Sequence, residues 1–388
     1  MTREFINFVN AHKDEDTARL LLSATRYPSI DMSAAVQQIE GLRTAREKWP
    51  SLSECEEFVY PPRLNREQAS SEETAHYKAS LVSPFSIADL TGGMGIDTLA
   101  FAEIEHRHPA SPVLIDYVER DPQLCALMEQ NLKVLGITNV CVHCADSMEW
   151  LSTAGHFNLI FIDPARRSAA GRKVAAFEDC TPNILEHRKL LQSHCQQLMV
   201  KASPMIDIDL AVQQLGNVIS VHIVGVKGEC KEVLFICGEP AGEPRITCGN
   251  FSFSRSEETA AEGHYGQSVG RYLYEPDATL MKAGPFKLIS QRYHLAQLGR
   301  NTHLYTSNER VINFPGRVFE VLKEMKISRK EVSSAIPGGK AHVVTRNYPV
   351  EASALQHQLG LKEGGDLFII ATTVGNRKAS YLCARNLA

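Results

Sequence analysis

Four acidic residues close four short apolar runs in the first half of the chain, and a glycine turn follows the first of them. SIADLTGGMG, residues 86–95, reads as a buried strand (Ile87, Ala88, Leu90) that runs through Thr91 into Gly93 and Gly95. Ile96, Leu99, Ala100 and Phe101 then follow at helical spacing. Glycine lets a ligand approach the backbone and lets the chain take positive φ, and the start of the helix offers free N–H groups. Asp89 sets the sign of that ligand, because a carboxylate opposes a pyrophosphate and suits a positive group. Glu119 closes VLIDYVE, where in a nucleotide-type fold an acid can accept both ribose hydroxyls. Asp116 lies mid-strand and Asp121 at a helix start, so both compete less well for that role. Asp146, followed by Ser147, closes NVCVHCAD, and Asp163 closes FNLIFID. An open parallel sheet binds its ligand at the carboxyl ends of its strands, so these acids should share one site.

The elements that must position them alternate strand and helix. Residues 1 to about 60 read as helices, with Asp16 and Asp31 as caps and Pro50 as a stop. Ser70 or Ser71 should cap a helix carrying Tyr77 and Lys78 toward the glycine turn; a surface position is expected for both, and a place in the site is the alternative. Asp121 as cap, Pro122 at the first helical position and Gly136 beyond the end define the helix after the second strand. Strands are expected at 197–201, 218–224 and 232–237, the last two as an antiparallel pair at the sheet edge.

No run of 18 apolar residues exists, so no transmembrane helix is expected, and the N-terminus does not read as a signal peptide. Ten scattered cysteines suggest reduced thiols and a cytoplasmic location. Cys141 and Cys144 form one C-x-x-C without a second pair, so core packing rather than a metal is expected of them. The net charge of −4 is unevenly spread. Residues 271–388 hold 17 Lys and Arg against 9 Asp and Glu, a balance of +8, whereas residues 1–270 hold 24 against 36, a balance of −12. A basic C-terminal third points to an anionic partner, nucleic acid first, with an ordinary solvated surface as the alternative.

D-L-x-x-G-x-G after a buried strand resembles motif I of the class I S-adenosylmethionine (SAM) methyltransferases. Thr98 stands where a nicotinamide G-x-G-x-x-G would need its third glycine. The resemblance implies a Rossmann-like sheet of seven strands over about residues 76–240, and SAM as cofactor. It also implies cofactor contacts from Asp89, Thr91, Gly93, Gly95, Glu119, Asp146 and Ser147, with Asp146 receiving the adenine amino group. D-P-A-R-R, residues 163–167, occupies motif IV, where the methyl acceptor sits in this superfamily. It is similar to the D-P-P-Y of base amino methyltransferases, but Arg166 replaces the aromatic. It is also similar to the uracil-C5 RNA methyltransferases, which need a cysteine after the next strand; this chain reads Val200-Lys201-Ala202-Ser203-Pro204-Met205 there. Direct transfer to nitrogen or oxygen is therefore expected, with Asp163, Pro164 and Arg166 at the acceptor. Arg166, Arg167, Arg172 and Lys173 would contact substrate phosphate, with structural ion pairing as the alternative.

From Glu239 to Gly270 the composition turns to Gly, Ser, Glu and Pro. The C-terminal stretch that opens YLYEPDATLMKAGPF at Tyr272, together with D-P-A-R-R and the early Y-P-P segment, resembles the bacterial THUMP-like class I methyltransferases. The expected layout is a helical extension (1–75), a methyltransferase domain (76–240), a linker with a small ferredoxin-like region (241–315) and a THUMP-like α+β domain (316–388). Ser328 to Glu331 should form a capping box; strands are expected at 340–345, 366–374 and 379–384, with a helix opened by Pro349. THUMP domains bind RNA, so Arg317, Lys323, Lys326, Arg329, Lys330, Lys340, Arg346, Arg377 and Lys378 are candidates for backbone contacts. The reading is a SAM-dependent methyltransferase of structured RNA, tRNA or rRNA, with no membrane and no metal. The alternatives are a methyltransferase of a small molecule or protein, and a non-catalytic SAM- or RNA-binding protein.

Overall fold

The computed structural model describes residues 1–104, 113–166, 177–239 and 242–385. The chain divides into two compact units, Met1–Ile219 with Val233–Gly242, and Ser220–Glu232 with Glu243–Ala388.

In the first unit, helices lead into the sheet. Asp16 and Asp31 cap helices Thr17–Leu22 and Met32–Lys48 by accepting the backbone N–H of Arg19 and Ala34, which satisfies first-turn donors that otherwise lack partners. Ser71, not Ser70, caps Glu72–Ser80. The strands are β1 (Ser86–Asp89), β2 (Leu114–Glu119), β3 (Val140–Cys144), β4 (Phe157–Ile162), the two-residue β5 (Ala165–Arg166) and β6 (Cys180–Thr181), and β7 (Cys195–Ala202). Further strands are β8 (Val218–Val226) and β9 (Glu229–Cys237). The spatial order is β9-β7-β4-β1-β2-β3. All neighbours are parallel except β7 and β9, which run antiparallel with Val200 opposite Phe235. The expected pair forms, with β8 beside β9, but it is not at the edge: β9 also lies against β7, and the order continues through β8 to two further strands. Reversal of the order beside β1 opens a crevice at the strand ends, the binding position in such sheets. The central β4 is apolar along nearly its whole length, and Phe101 on helix Ile96–Ala102 meets its Phe161 edge-on at 5.5 Å.

In the second unit, β8 pairs in parallel with β10 (Arg245–Cys248), which pairs antiparallel with β11 (Phe251–Phe253). Residues whose composition reads as linker therefore form strands, followed by helix Arg255–Ala260 with a full capping box between Ser254 and Glu257. A separate seven-stranded sheet has the order β13-β14-β12-β15-β18-β17-β16. Its strands are β12 (Tyr272–Pro276), β13 (Ala296–Gly299), β14 (Thr302–Ser307), β15 (Gly316–Glu324), β16 (His342–Arg346), β17 (Leu367–Val374) and β18 (Arg377–Arg385). Helices Arg329–Ala335 and Ala352–Leu359 lie on one face of its β15 to β18 half, over Ile369, Ala371 and Leu382, while Phe368, Ile370 and Cys383 alternate onto the opposite face. Ser328 caps its helix as expected, but Glu331 accepts from the N–H of Lys326 rather than of Ser328, so the capping box is half made. The helix expected from Pro349 begins at Ala352 behind Glu351.

Candidate active site

The glycine turn hangs on β2. Gly93 and Gly95 take φ of +55° and +82°, the left-handed region open to glycine at little cost. Tyr117 and Glu119 stand two residues apart on β2 and so share a face. The Tyr117 hydroxyl donates to the Gly93 carbonyl at 2.7 Å, and Glu119 Oε2 accepts the Gly93 N–H at 3.0 Å. Glu119 Oε1 accepts the Asp121 N–H at 2.9 Å. A carboxylate can accept about four hydrogen bonds, so these two leave it capacity for hydroxyl donors. Gly92 is the third requirement, because a Cβ there would lie 2.2 Å from Cε2 of Tyr117.

Asp89 sits beneath this turn, 1% exposed. Its Oδ2 accepts from Thr98 Oγ1 at 2.6 Å and its Oδ1 from the Thr91 N–H at 3.1 Å. Burial pushes its carboxyl up to about 7, against those two hydrogen bonds and with help from the neighbouring Asp97 and Asp163 charges. A positive ligand group is what would favour the ionised form.

The helix Glu72–Ser80 is corrected from a surface element: Thr74, Ala75, Lys78 and Ala79 are buried. Lys78 is fully buried, pairs with Asp97 at 3.0 Å and donates to Ser70 Oγ at 3.2 Å, and Ser70 donates to Asp97 at 2.7 Å. Burial pushes the Asp97 carboxyl up, but the Lys78 ammonium, with Lys201 and the Ser70 hydroxyl, outweighs it and holds the group below the usual range. Asp97 lies in the first turn of the helix after the glycines, so Lys78 latches one helix to the start of the other. Tyr77 is half-buried.

Asp146 is exposed and caps helix Ser147–Leu151, Oδ1 accepting the N–H of Met148 and Glu149. Asp163 joins the end of β4 to the turn: its N–H donates to Thr91 Oγ1 at 2.7 Å, and its Oδ2 receives Lys201 Nζ at 2.5 Å. Lys201 stands on β7, and its charge also helps to hold the Asp97 carboxyl low. Pro164 is buried, and Arg166 pairs with Cys180 in the two-stranded β5–β6 ladder. Arg167, Arg172 and Lys173 lie outside the described residues.

Gly92, Tyr117, Thr98 and Lys201 are functional candidates beyond those named from the sequence. Gly92 and Lys201 carried a signal, a third glycine in the turn and a charge ending an apolar strand. Cys141 and Cys144 correct the core assignment, as both are exposed on the outermost strand.

Residues 272–315 match a ferredoxin-like domain family, and residues 316–385 match a family described as THUMP domain-like. Two curated relatives, from two strains of Mycobacterium tuberculosis, are each described as an uncharacterized S-adenosylmethionine-dependent methyltransferase. Each is 24% identical over 326 residues, which is 82% of this chain and 86% of the relative. A crystal structure from Porphyromonas gingivalis W83, provisionally described as a methyltransferase, superposes with a TM-score of 0.85 at 28% identity, covering 99% of this chain and 98% of its own. The chain is a SAM-dependent methyltransferase with a C-terminal THUMP-like domain. The candidate site suits SAM on its own chemistry. The turn admits a close ligand, Glu119 has acceptors to spare, and Asp89 is a buried acid with no ion pair among the described residues.

Candidate phosphate contacts in the THUMP-like part are partly engaged. Arg317 and Arg346 both pair with the buried Glu275, Arg377 pairs with Glu324, and Arg329 donates to the Gln358 carbonyl. Lys323, Lys326, Lys330, Lys340 and Lys378 are exposed.

Proposed function

We propose that this methyltransferase acts in the cytoplasm on a nucleotide of structured RNA, tRNA or rRNA, by direct transfer without a cysteine nucleophile. The tether from Asp163 to the glycine turn through Thr91 carries the reading, because it holds a lysine-paired carboxylate beside the cofactor turn. SAM supplies an electrophilic methyl group on a sulfonium that is already a good leaving group. Asp89, Glu119 and Asp146 would hold the cofactor's positive, ribose and adenine groups beside the glycine turn. Asp163 orients the acceptor nitrogen or oxygen and would take the proton that the acceptor sheds on methylation. Lys201 holds one oxygen of that carboxylate in place and leaves the other to the acceptor. Proximity and orientation supply most of the rate. The exposed lysines of the THUMP-like domain give the RNA backbone its sequence-independent contacts.

The test incubates the protein and methyl-labelled SAM with total RNA from a strain lacking the gene, beside wild-type RNA and an Asp163→Ala variant. Label entering only the deletion-strain RNA, and lost in the variant, is expected. No label, with SAM binding intact by calorimetry, overturns the RNA reading and moves the search to small-molecule or protein acceptors.

A further inference from the structure

On the outer edge of the first sheet, away from the strand ends, three different metal-ligating side chains meet. β3 is the last strand in the order and runs parallel to β2, with Asp116 opposite Cys141 and Val118 opposite His143. Side chains alternate along a strand, so Cys141 and His143 share a face, and Asp116, paired with Cys141, shares it too. One donor atom from each of the three lies within 4.8 Å of the other two. His143 Nε2 is 2.6 Å from Asp116 Oδ1, both side chains are partly exposed, and Cys141 is exposed.

Packing does not explain this set. Cysteine is among the residue types most often buried, and aspartate is depleted from strand interiors. The carboxylate–imidazole contact accounts for Asp116 and His143, but not for the thiol beside them. A carboxylate fixing an imidazole is also the arrangement that orients a metal-binding histidine. From these residues the geometry points to a surface site for a borderline transition-metal ion, Zn²⁺ or Co²⁺, bound by Cys141 and His143 with Asp116 as third donor or as the orienting partner of His143. The donor set decides the class of ion: thiolate and imidazole suit zinc-like ions, whereas calcium and magnesium take oxygens. Three protein donors leave a fourth, tetrahedral position to water. Donors around such an ion stand about 3.5 Å apart, so the closest contact must open and the widest must close by roughly 1 Å, side-chain adjustments that an open sheet edge permits.

The site has a built-in reporter. Trp150 lies on helix Ser147–Leu151 with its ring 4.9 Å from that of His143, and the other tryptophan, Trp49, is fully buried in the core. Cys144, on the opposite face of β3, is the internal control.

The full chain, stripped with a chelator and kept reduced without thiols, is titrated with Co²⁺. A cobalt–thiolate charge-transfer band saturating at one equivalent, with quenching of Trp150 fluorescence and reversal by Zn²⁺, is expected. Cys141→Ser and His143→Ala should each weaken binding by at least about tenfold, while Cys144→Ser should leave it unchanged. The thermal midpoint of metal-free Cys141→Ser should match that of the metal-free wild type, which separates lost ligation from misfolding. No thiolate band in the wild type, or a band that survives Cys141→Ser, overturns the site. The readout needs no methyl acceptor, so it stands whatever becomes of the RNA reading.

Discussion

Asp89 is buried yet carries a carboxyl pushed up to about 7, mainly by that burial. In the free protein it therefore holds a proton below about 7 that a solvated aspartate would have lost, and its contribution to stability falls as pH rises from the ordinary value of 3.8 to about 7. A positive group beside it favours the ionised form, so SAM binding should release a proton. Affinity for SAM should rise with pH, by up to about tenfold per unit below 7, and level off above. Calorimetry in two buffers of different ionisation heat reads the proton directly, and Asp89→Asn should abolish the slope. Lys78 presents the converse case. Lys78→Met leaves Asp97 buried without its main partner and should cost roughly 3–5 kcal/mol in denaturant unfolding. Asp97→Asn in the same background should restore part of that loss.

At the level of elements, the glycine turn depends on β2 as much as on its own glycines. Gly92→Ala drives a Cβ into the Tyr117 ring, which is itself walled in, so the turn must lift. SAM affinity should fall by at least about tenfold while circular dichroism stays native, since the 2.2 Å approach leaves no room for a small adjustment. Tyr117→Phe keeps the ring and removes only the bond to the Gly93 carbonyl, a loss of about 1 kcal/mol. The turn itself was legible in the sequence because strand, glycines and helix follow within a dozen residues, and the local signals for Asp121, Pro122 and Gly136 gave that helix its observed bounds, Pro122–Leu135. Lys78 was not legible. A lysine in a helix of mixed polarity reads as solvated, and its partner Asp97 is brought to it only by tertiary packing. The exposure of Cys141 and Cys144 was hidden for a related reason: the strand pattern reads as core unless β3 is known to be the edge.

For the whole molecule, the excess of positive charge beyond residue 270 overstates what a polyanion would meet. Arg317 and Arg346 are bound to Glu275, and Arg377 to Glu324. Neutralising Arg317 or Arg346 should lower thermal stability, whereas neutralising Lys326 or Lys330 should leave stability alone. Each lysine that touches a phosphate should, when changed to alanine, reduce the salt slope of RNA binding by about 1. Filter binding over a salt series separates the two groups. Formal charge could not make this division, because it depends on which cations find a buried acid when the strands assemble.

Both peptide groups flanking Gly93 are fastened to β2, the carbonyl by Tyr117 and the N–H by Glu119. A turn held at both sides is already shaped before any nucleoside arrives, so little ordering remains to be done on contact. Mixing the protein with SAM in a stopped-flow instrument should then give one phase whose rate climbs linearly with concentration, without the plateau that a slow rearrangement imposes.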